Sequence, residues 1–394
     1  MRRLPGLSFV AAILFVLSIF APRSARAQIT HESPVQAGSP EDKALTDITN
    51  ATDPTQKLAL IDKFMSDFGT GDMQRVADEQ YVDYYADQKN SAKVYEYGEK
   101  ILALDPDDFQ IAVTLAHTAA DAGDDDRMYG YIEKAAAILQ RYEKQTAPAG
   151  ADAATWDVLR KRAIAGDQDN INYIEYTFFT TALRVDDPNQ KGALMERYVA
   201  AFPDSLYTER AEVLAPASYQ QAKNFPKMVD AANAVLAVNP NNVSVLLLLA
   251  DYYSEGGQHL DLALADAKQA LAALTTATKP DGVSDDDWQK QIALQTGLAW
   301  TALGQVYITQ KNQTPALNAF QTAAPLLKAD PVAYARNQYR LGFALLNLKR
   351  NQDAYDAFSQ AASVDSPYRA LAQVKLDELQ HAGVGVPHAA KKAQ

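Results

Sequence analysis

The sequence predicts an all-α protein, a solenoid of stacked antiparallel helix hairpins, and three observations carry that prediction. The chain repeats without a gap at an offset of 134 residues. Apolar residues recur three and four apart over almost everything between about residues 50 and 380, the spacing of one face of a helix. Proline-containing junctions, Asp105-Pro106 and Asn239-Pro240, fall at matching points of the two copies.

The duplication is read residue by residue. Asp53-Pro54, Gln56-Lys57 and Ala59-Leu60 recur as Asp187-Pro188, Gln190-Lys191 and Ala193-Leu194. Phe68, Tyr85, Lys89-Asn90, Leu102-Ala103 and Pro106 recur as Phe202, Tyr219, Lys223-Asn224, Leu236-Ala237 and Pro240. The frame holds to Gly123 and Gly257, so the repeat corresponds to roughly four helix-hairpin units of the ~34-residue type.

Taken in order, residues 1–27 read as a cleaved secretory signal peptide. Arg2 and Arg3 precede a largely apolar run over 9–20, and Ala25-Arg26-Ala27 supplies a small-x-small cleavage site, which puts the mature start at Gln28. That run falls short of the roughly 20 residues a helix needs to cross a bilayer. The surroundings of the arginine pair match a twin-arginine signal poorly, which favours unfolded-chain secretion to a bacterial periplasm or beyond. Residues 28–50 are polar, with breakers at Pro34, Gly38 and Pro40, and are expected as a flexible leader.

Residues 51–136 carry the first set of helical repeats, with Leu115, Ala116, Gly123, Ile132 and Ala135 in one hairpin. Proline disfavours helical geometry in the residue before it and is tolerated at the start of a helix, so Pro106 and Pro240 set repeat boundaries. Residues 137–186, around Trp156, Leu159, Phe179 and Ala182, are expected as an irregular or degenerate helical unit. Residues 187–274 hold the second copy, and a turn-rich connection follows near 275–284. The clearest units lie in 284–380, where Trp300, Leu303, Gly304, Tyr307, Ala316, Phe320 and Ala323 are followed at an offset of 38 by Leu341, Gly342, Ala354, Phe358 and Ala361. Small Gly304 and Ala316 permit close approach of two helices, and Phe320 and Ala323 plug the gap between them. The tail 381–394 lacks the large apolar residues that repay ordering a backbone and is expected to be flexible.

These separations resemble the tetratricopeptide-repeat superfamily over most of the mature chain, most closely at 297–365. The resemblance implies a right-handed superhelical solenoid that acts as a protein-interaction scaffold, binding peptides or partner domains on its concave surface. With Leu303 and Leu341 at matching packing positions, the groove would receive Thr301, Gln305, Thr309, Tyr339, Phe343 and Asn347. Earlier repeats would contribute Glu79, Asp83, Val113, His117, Val213, Ala217, Gln220, Leu247 and Asp251. Family members that capture acidic chaperone tails use basic and amide side chains, whereas Glu79, Asp83, Val113 and His117 here would repel such a peptide. Tyr81, Tyr84, Tyr85, Tyr129 and Tyr131 form a candidate amphipathic contact stripe, although packing is expected to take most of the tyrosines.

Composition narrows the chemistry. The chain has no cysteine, which excludes disulfides, thiolate metal sites, a cysteine nucleophile and a lipid anchor on a mature N-terminal cysteine. Loss of the signal removes four arginines and leaves 33 basic against 49 acidic side chains, a formal charge of −16. Such a surface repels phosphate backbones, and no basic stripe offsets it, so nucleic acid is not the expected partner. The acidic runs at 105–108, 124–126 and 285–287 read as solvated helix caps, without the ordered acid and glycine pattern of a calcium loop. The histidines have no companions at metal-ligand spacing, and carboxylate pairs such as Glu96 and Glu99 are unspecific in so acidic a chain.

The sequence thus points to a non-enzymatic protein-interaction or assembly scaffold of the bacterial cell envelope, with a protein or peptide partner, no cofactor, no metal and no integral membrane span in the mature chain. The alternatives are a structural subunit of an envelope complex and a glycan-binding or glycan-processing protein whose pocket would lie in 137–186.

Overall fold

The computed structural model describes residues 34–385. The signal over 1–27, the first residues of the leader and the tail from 386 lie outside the described residues. Eighteen α-helices and no strand are found among the described residues. They are α1 (Pro40–Asn50), α2 (Pro54–Phe68), α3 (Asp72–Asp87), α4 (Ser91–Leu104), α5 (Phe109–Ala122), α6 (Asp125–Glu143), α7 (Ala153–Gly166), α8 (Gln168–Leu183) and α9 (Pro188–Ala201). After these come α10 (Thr208–Gln221), α11 (Phe225–Val238), α12 (Val243–Gly256), α13 (Leu260–Thr276), α14 (Asp285–Thr309), α15 (Gln313–Leu326), α16 (Pro331–Asn347), α17 (Asn351–Ala362) and α18 (Tyr368–His381). Two compact units divide within α8, one ending at Phe178 and the other starting at Phe179. Each is a stack of antiparallel hairpins, an all-α fold of the right-handed superhelical repeat class.

The internal copy is visible in the helix ends. Both ends of α4 and α11 are 134 residues apart, as are both ends of α5 and α12. Asp53 and Asp187 open α2 and α9 in the same way: each caps the backbone N–H three residues on, 2.8 Å from Gln56 and 3.2 Å from Gln190, with proline in the first turn.

Hairpin closure also repeats. Lys89, Lys223, Lys311 and Lys349 sit at the turns of α3/α4, α10/α11, α14/α15 and α16/α17 in the left-handed region, with φ of 55°, 57°, 61° and 60°. The residue after each returns its N–H to the carbonyl five back, Asn90 to Tyr85, Asn224 to Tyr219, Asn312 to Tyr307 and Arg350 to Leu345, at 2.8–2.9 Å. This is a Schellman closure that satisfies the last carbonyls of the first helix. At α5/α6 the same position is Gly123, φ 70°, with Asp124 N–H on Ala119 at 2.9 Å.

Within the hairpins, absence of a side chain sets the helix spacing. A Cβ on Gly304 would stand 2.5 Å from Phe320 Cε1, and one on Gly342 2.6 Å from Phe358 Cε1. Both phenylalanines are fully buried, each contributing about 1.5–3 kcal/mol of apolar burial.

The structure adds detail at both ends and in the middle of the chain. Residues 40–50, assigned to a flexible leader, form α1: Ser39 Oγ accepts from Asp42 N–H at 3.2 Å, and Ile48 is buried with Ile61, Phe64 and Tyr81. The breakers Pro34, Gly38 and Pro40 lie before or at the start of that helix and do not interrupt it. Residues 137–186 are helical except for the connection 144–152 and short joints, with Ile174 and Phe178 of α8 buried in the first unit. At the other end, α18 runs through His381, and Val384 still packs against the core around Phe358.

The acidic runs lie at helix starts, where Asp108 caps Ile111, Asp124 caps Arg127, and Asp285, Asp286 and Asp287 occupy the first turn of α14 behind Ser284; Asp108 departs from the expected solvated cap, being fully buried. Among the described residues no group of three or more acids or histidines is arranged to hold a metal, and no helix is long and apolar enough to cross a membrane.

Candidate partner-binding surface

In the first unit, α3 and α5 bring an ionic network together. Arg75 donates through Nε and Nη2 to Asp108 Oδ2 at 3.0 and 2.9 Å, and its Nη2 also lies 2.7 Å from Glu79 Oε1. Asp108 is fully buried and accepts from Ile111 N–H as well, so its charge is doubly compensated. Burial pushes Glu79 up to about 7; Arg75 opposes that shift, and the neighbouring Asp108 and Asp83 add to it. Asp83, one turn along, is exposed. His117 on α5 is half-buried and stacks on Tyr173 of α8, ring centroids 3.5 Å apart and nearly parallel. Burial pulls its pKa below the ordinary histidine value against the field of Asp121, which favours the neutral imidazole. Val113 is buried core.

The second unit forms a cavity of about 280 Å³ from α10, α12, α14 and α16. Leu247, Leu248 and Leu298 give it apolar walls, and Gln220, Ser244, Asp251, Gln295 and Arg336 supply polar groups. Arg336 Nη1 donates to Asp251 Oδ2 at 2.9 Å, joining α16 to α12. One turn further on each helix, Arg340 pairs with Glu255. Two rungs of opposite-charge contact therefore run from α12 to α16, the first hydrogen-bonded and the second a charge contact only, since Arg340 Nη1 and Nη2 make no hydrogen bond to any described residue. Asp251 Oδ1 is buried and receives no hydrogen bond from any described residue.

The residues expected in the groove separate into groups. Gln220 and Asp251 meet in the cavity, together with Leu247. Gln305 is half-buried and Thr309 exposed on α14, the Thr309 hydroxyl donating to the Gln305 carbonyl at 3.0 Å. Asn347 is exposed and donates to Gln313 at 3.1 Å.

Thr301 requires correction, whereas Tyr339 and Phe343 pack against neighbouring rings and remain half-buried. Thr301 is fully buried, donating to Gly297 O at 2.9 Å and Asn337 Oδ1 at 3.1 Å, so it locks α14 to α16 and offers nothing to a partner. Tyr339 packs on Phe358 and Tyr368, with centroids 5.7 and 5.8 Å away, and Phe343 on Phe358 at 5.5 Å. They lie on the side of α16 that meets Phe358 of α17 and Tyr368 of α18, and Arg336 and Arg340 take the side facing α12.

Arg336 and Gln295 were not anticipated. A signal existed in the i, i+4 acid pair Asp251/Glu255 and the i, i+4 base pair Arg336/Arg340, but nothing local links residues 85 apart. The tyrosine stripe is mostly packing: Tyr81, Tyr84 and Tyr129 are buried, Tyr81 stacks on Tyr97 at 4.3 Å, and Tyr131 donates to Glu99 at 2.7 Å.

No family model and no curated protein matches this chain. Among solved structures it is similar to the crystal structure of yeast Tom70, with 11% identity and a TM-score of 0.40, covering 91% of this chain and 67% of that one. It is also similar to the APC/C hetero-tetramer Cut9-Hcn1, with 13% identity and a TM-score of 0.39, covering 86% of this chain and 64% of that one, just under two thirds. A third is the P58(IPK) TPR domain, with 11% identity and a TM-score of 0.30, covering 88% of this chain and all of that one.

Proposed function

We propose that the protein is a non-enzymatic interaction or assembly scaffold of the bacterial cell envelope, exported by its N-terminal signal and binding a protein or peptide on the first-helix face of its hairpins. The observation that carries this reading is the cavity in the second unit, where four successive first helices contribute both apolar walls and hydrogen-bonding groups. The hairpin fold and the cysteine-free, acidic composition fit a role in non-covalent binding. The 137–186 segment is spent on the end of α6, the connection 144–152, α7 and α8, and no observation there favours the glycan alternative.

Photo-crosslinking amino acids placed at Gln220 and Gln295, with Val238 on the exposed end of α11 as control, test the surface at native abundance. The expected result is one recurrent protein adduct from 220 and 295 and none from 238. Equal labelling from all three positions would sink the assignment. Export is checked separately by fractionating cells and sequencing the mature N-terminus, which should begin at Gln28.

A further inference from the structure

We infer that the outer face of α7 is a docking site for an amphipathic helix of a partner protein, one whose polar face is acidic. This face shares no residue with the cavity of the second unit, so it stands or falls independently of that surface.

The way α7 is held decides which side it offers. Trp156 Nε1 and Arg160 Nη1 both donate to the Gln145 carbonyl, at 3.0 and 3.1 Å, and the Trp156 ring meets Tyr142 edge-on with centroids 6.3 Å apart. Residues 156 and 160, one turn apart, therefore mark the inner side, and 158, 159 and 162 point away from it. No residue of α7 is buried, and Val158 and Leu159 are 65% and 54% exposed. Adjacent on one helix and bordered by charge, they form an apolar patch of the kind that marks an interaction site.

Charge names the occupant. Arg160, Lys161 and Arg162 follow one another, and the helix holds a single carboxylate, Asp157, which takes Arg160 Nη2 at 2.6 Å and lies 2.8 Å from Lys161 Nζ. The capping Asp152 is spent on the N–H and hydroxyl of Thr155, at 2.7 and 2.8 Å. Arg162 is exposed and has no hydrogen bond or ion pair with any described residue. A chain of formal charge −12 thus carries a local excess of cations beside an uncovered apolar pair. Partner carboxylates would meet Arg162 and Lys161 within one turn of Val158 and Leu159, and a basic partner would be repelled. A helix suits the site because Val158 and Arg162 are four residues apart and Leu159 and Arg162 three, the ridges along which a second helix packs. An anionic lipid surface would meet the acidic remainder of the chain over a far wider area than these cations cover.

The test labels valine and leucine methyl groups in the chain from Gln28 to Gln394 and titrates in synthetic helices of about four turns. All share leucines at every third and fourth position, and they carry glutamate, glutamine or lysine at the rest. The glutamate helix should shift the Val158 and Leu159 methyl resonances and bind about fivefold more tightly than the glutamine helix, the factor expected of two exposed ion pairs of ordinary strength. The lysine helix should bind less tightly than either. Lys161→Gln with Arg162→Gln should bring the glutamate helix down to the affinity of the glutamine helix, and Val158→Ser with Leu159→Ser should weaken both about tenfold or more. All four positions are exposed, so the remaining methyl spectrum should stay in place. Equal affinity for the glutamate and lysine helices, shifts centred on other methyls, or a preference for glutamate that survives loss of both cations would overturn the inference. Vesicles of phosphatidylcholine with phosphatidylglycerol should leave the two methyls unmoved; if they broaden them while the glutamate helix does not, the face is a lipid contact and the inference falls. Crosslinking from 220 and 295 should be the same in the serine variant, which keeps a failure here distinct from a failure of the cavity.

Discussion

Lys89, Lys223, Lys311 and Lys349 hold a backbone conformation that an L side chain resists by roughly 1–2 kcal/mol, because each ends the first helix of its hairpin with a left-handed residue. Glycine at these positions would remove the strain but would also loosen the unfolded chain by about 0.5–1 kcal/mol. Lys311→Gly is therefore expected to raise the unfolding free energy by up to about 1 kcal/mol, measured by urea denaturation; a loss of stability would mean that the lysine side chain contributes more than its conformation costs. Gly304→Leu should act in the opposite direction, since Phe320 already occupies the space a Cβ would need. Overpacking there should lower stability by about 1–3 kcal/mol, and an unchanged thermal midpoint would refute the assigned contact. Gly304 and Phe320 were legible in sequence because both belong to one hairpin at a fixed separation. Thr301 was misread because its partner, Asn337, lies on the next hairpin, where sequence spacing does not show which side of the helix is already taken.

Between elements, register decides what each helix face meets. The α12 to α16 rungs place Arg340 almost entirely out of solvent beside Glu255, whose side chain remains about half exposed. Removing the half-exposed carboxylate leaves Asp251 as the charge nearest the buried cation, so Glu255→Ala should destabilise by about 1–2 kcal/mol, whereas Arg340→Met, which replaces the charge with apolar volume, should cost less or nothing. Paired denaturation curves of the two variants decide the point, and equal losses would show that the rung does not carry a desolvated charge. The same register explains α16: the base pair Arg336/Arg340 looks toward α12, and the aromatic pair Tyr339/Phe343 looks toward α17 and α18. Family spacing registers a helix from its own hairpin and does not include α18, whose Tyr368 packs on Tyr339. Helix α1 was missed for a related reason. Ala44, Leu45 and Ile48 have helical spacing, but they are few, and the surface that buries them belongs to α2 and α3.

At the scale of the whole molecule, acidity acts through individual half-buried carboxyls. Glu79 moves from its ordinary 4.5 to about 7, and Asp266 from 3.8 to about 6, both led by burial. Between the ordinary and the shifted values the folded chain keeps a proton that the unfolded chain has released, so stability falls as pH rises through that interval. Unfolding free energy should therefore be lower near pH 7.5 than near pH 5 by roughly 1–3 kcal/mol, and Glu79→Gln should flatten the dependence over about 4.5 to 7. Greater stability near pH 7.5 than near pH 5, or a slope untouched by the substitution, would contradict the burial of Glu79. No such shift could be read from the sequence, where Glu79 is one acid among 49. The architecture could be, because the 134-residue copy repeats helix ends as well as residue types, and α4 and α11 preserve both.

The turn chemistry has a consequence for how such a chain comes into being. The five hairpins closed in this way draw their helices together through main-chain bonds only three to five residues long, so their topology is decided before any distant segment is available. A polypeptide lengthening from its N-terminus then closes these hairpins one after another, each new arrival docking on the last, with no need to wait for distant segments.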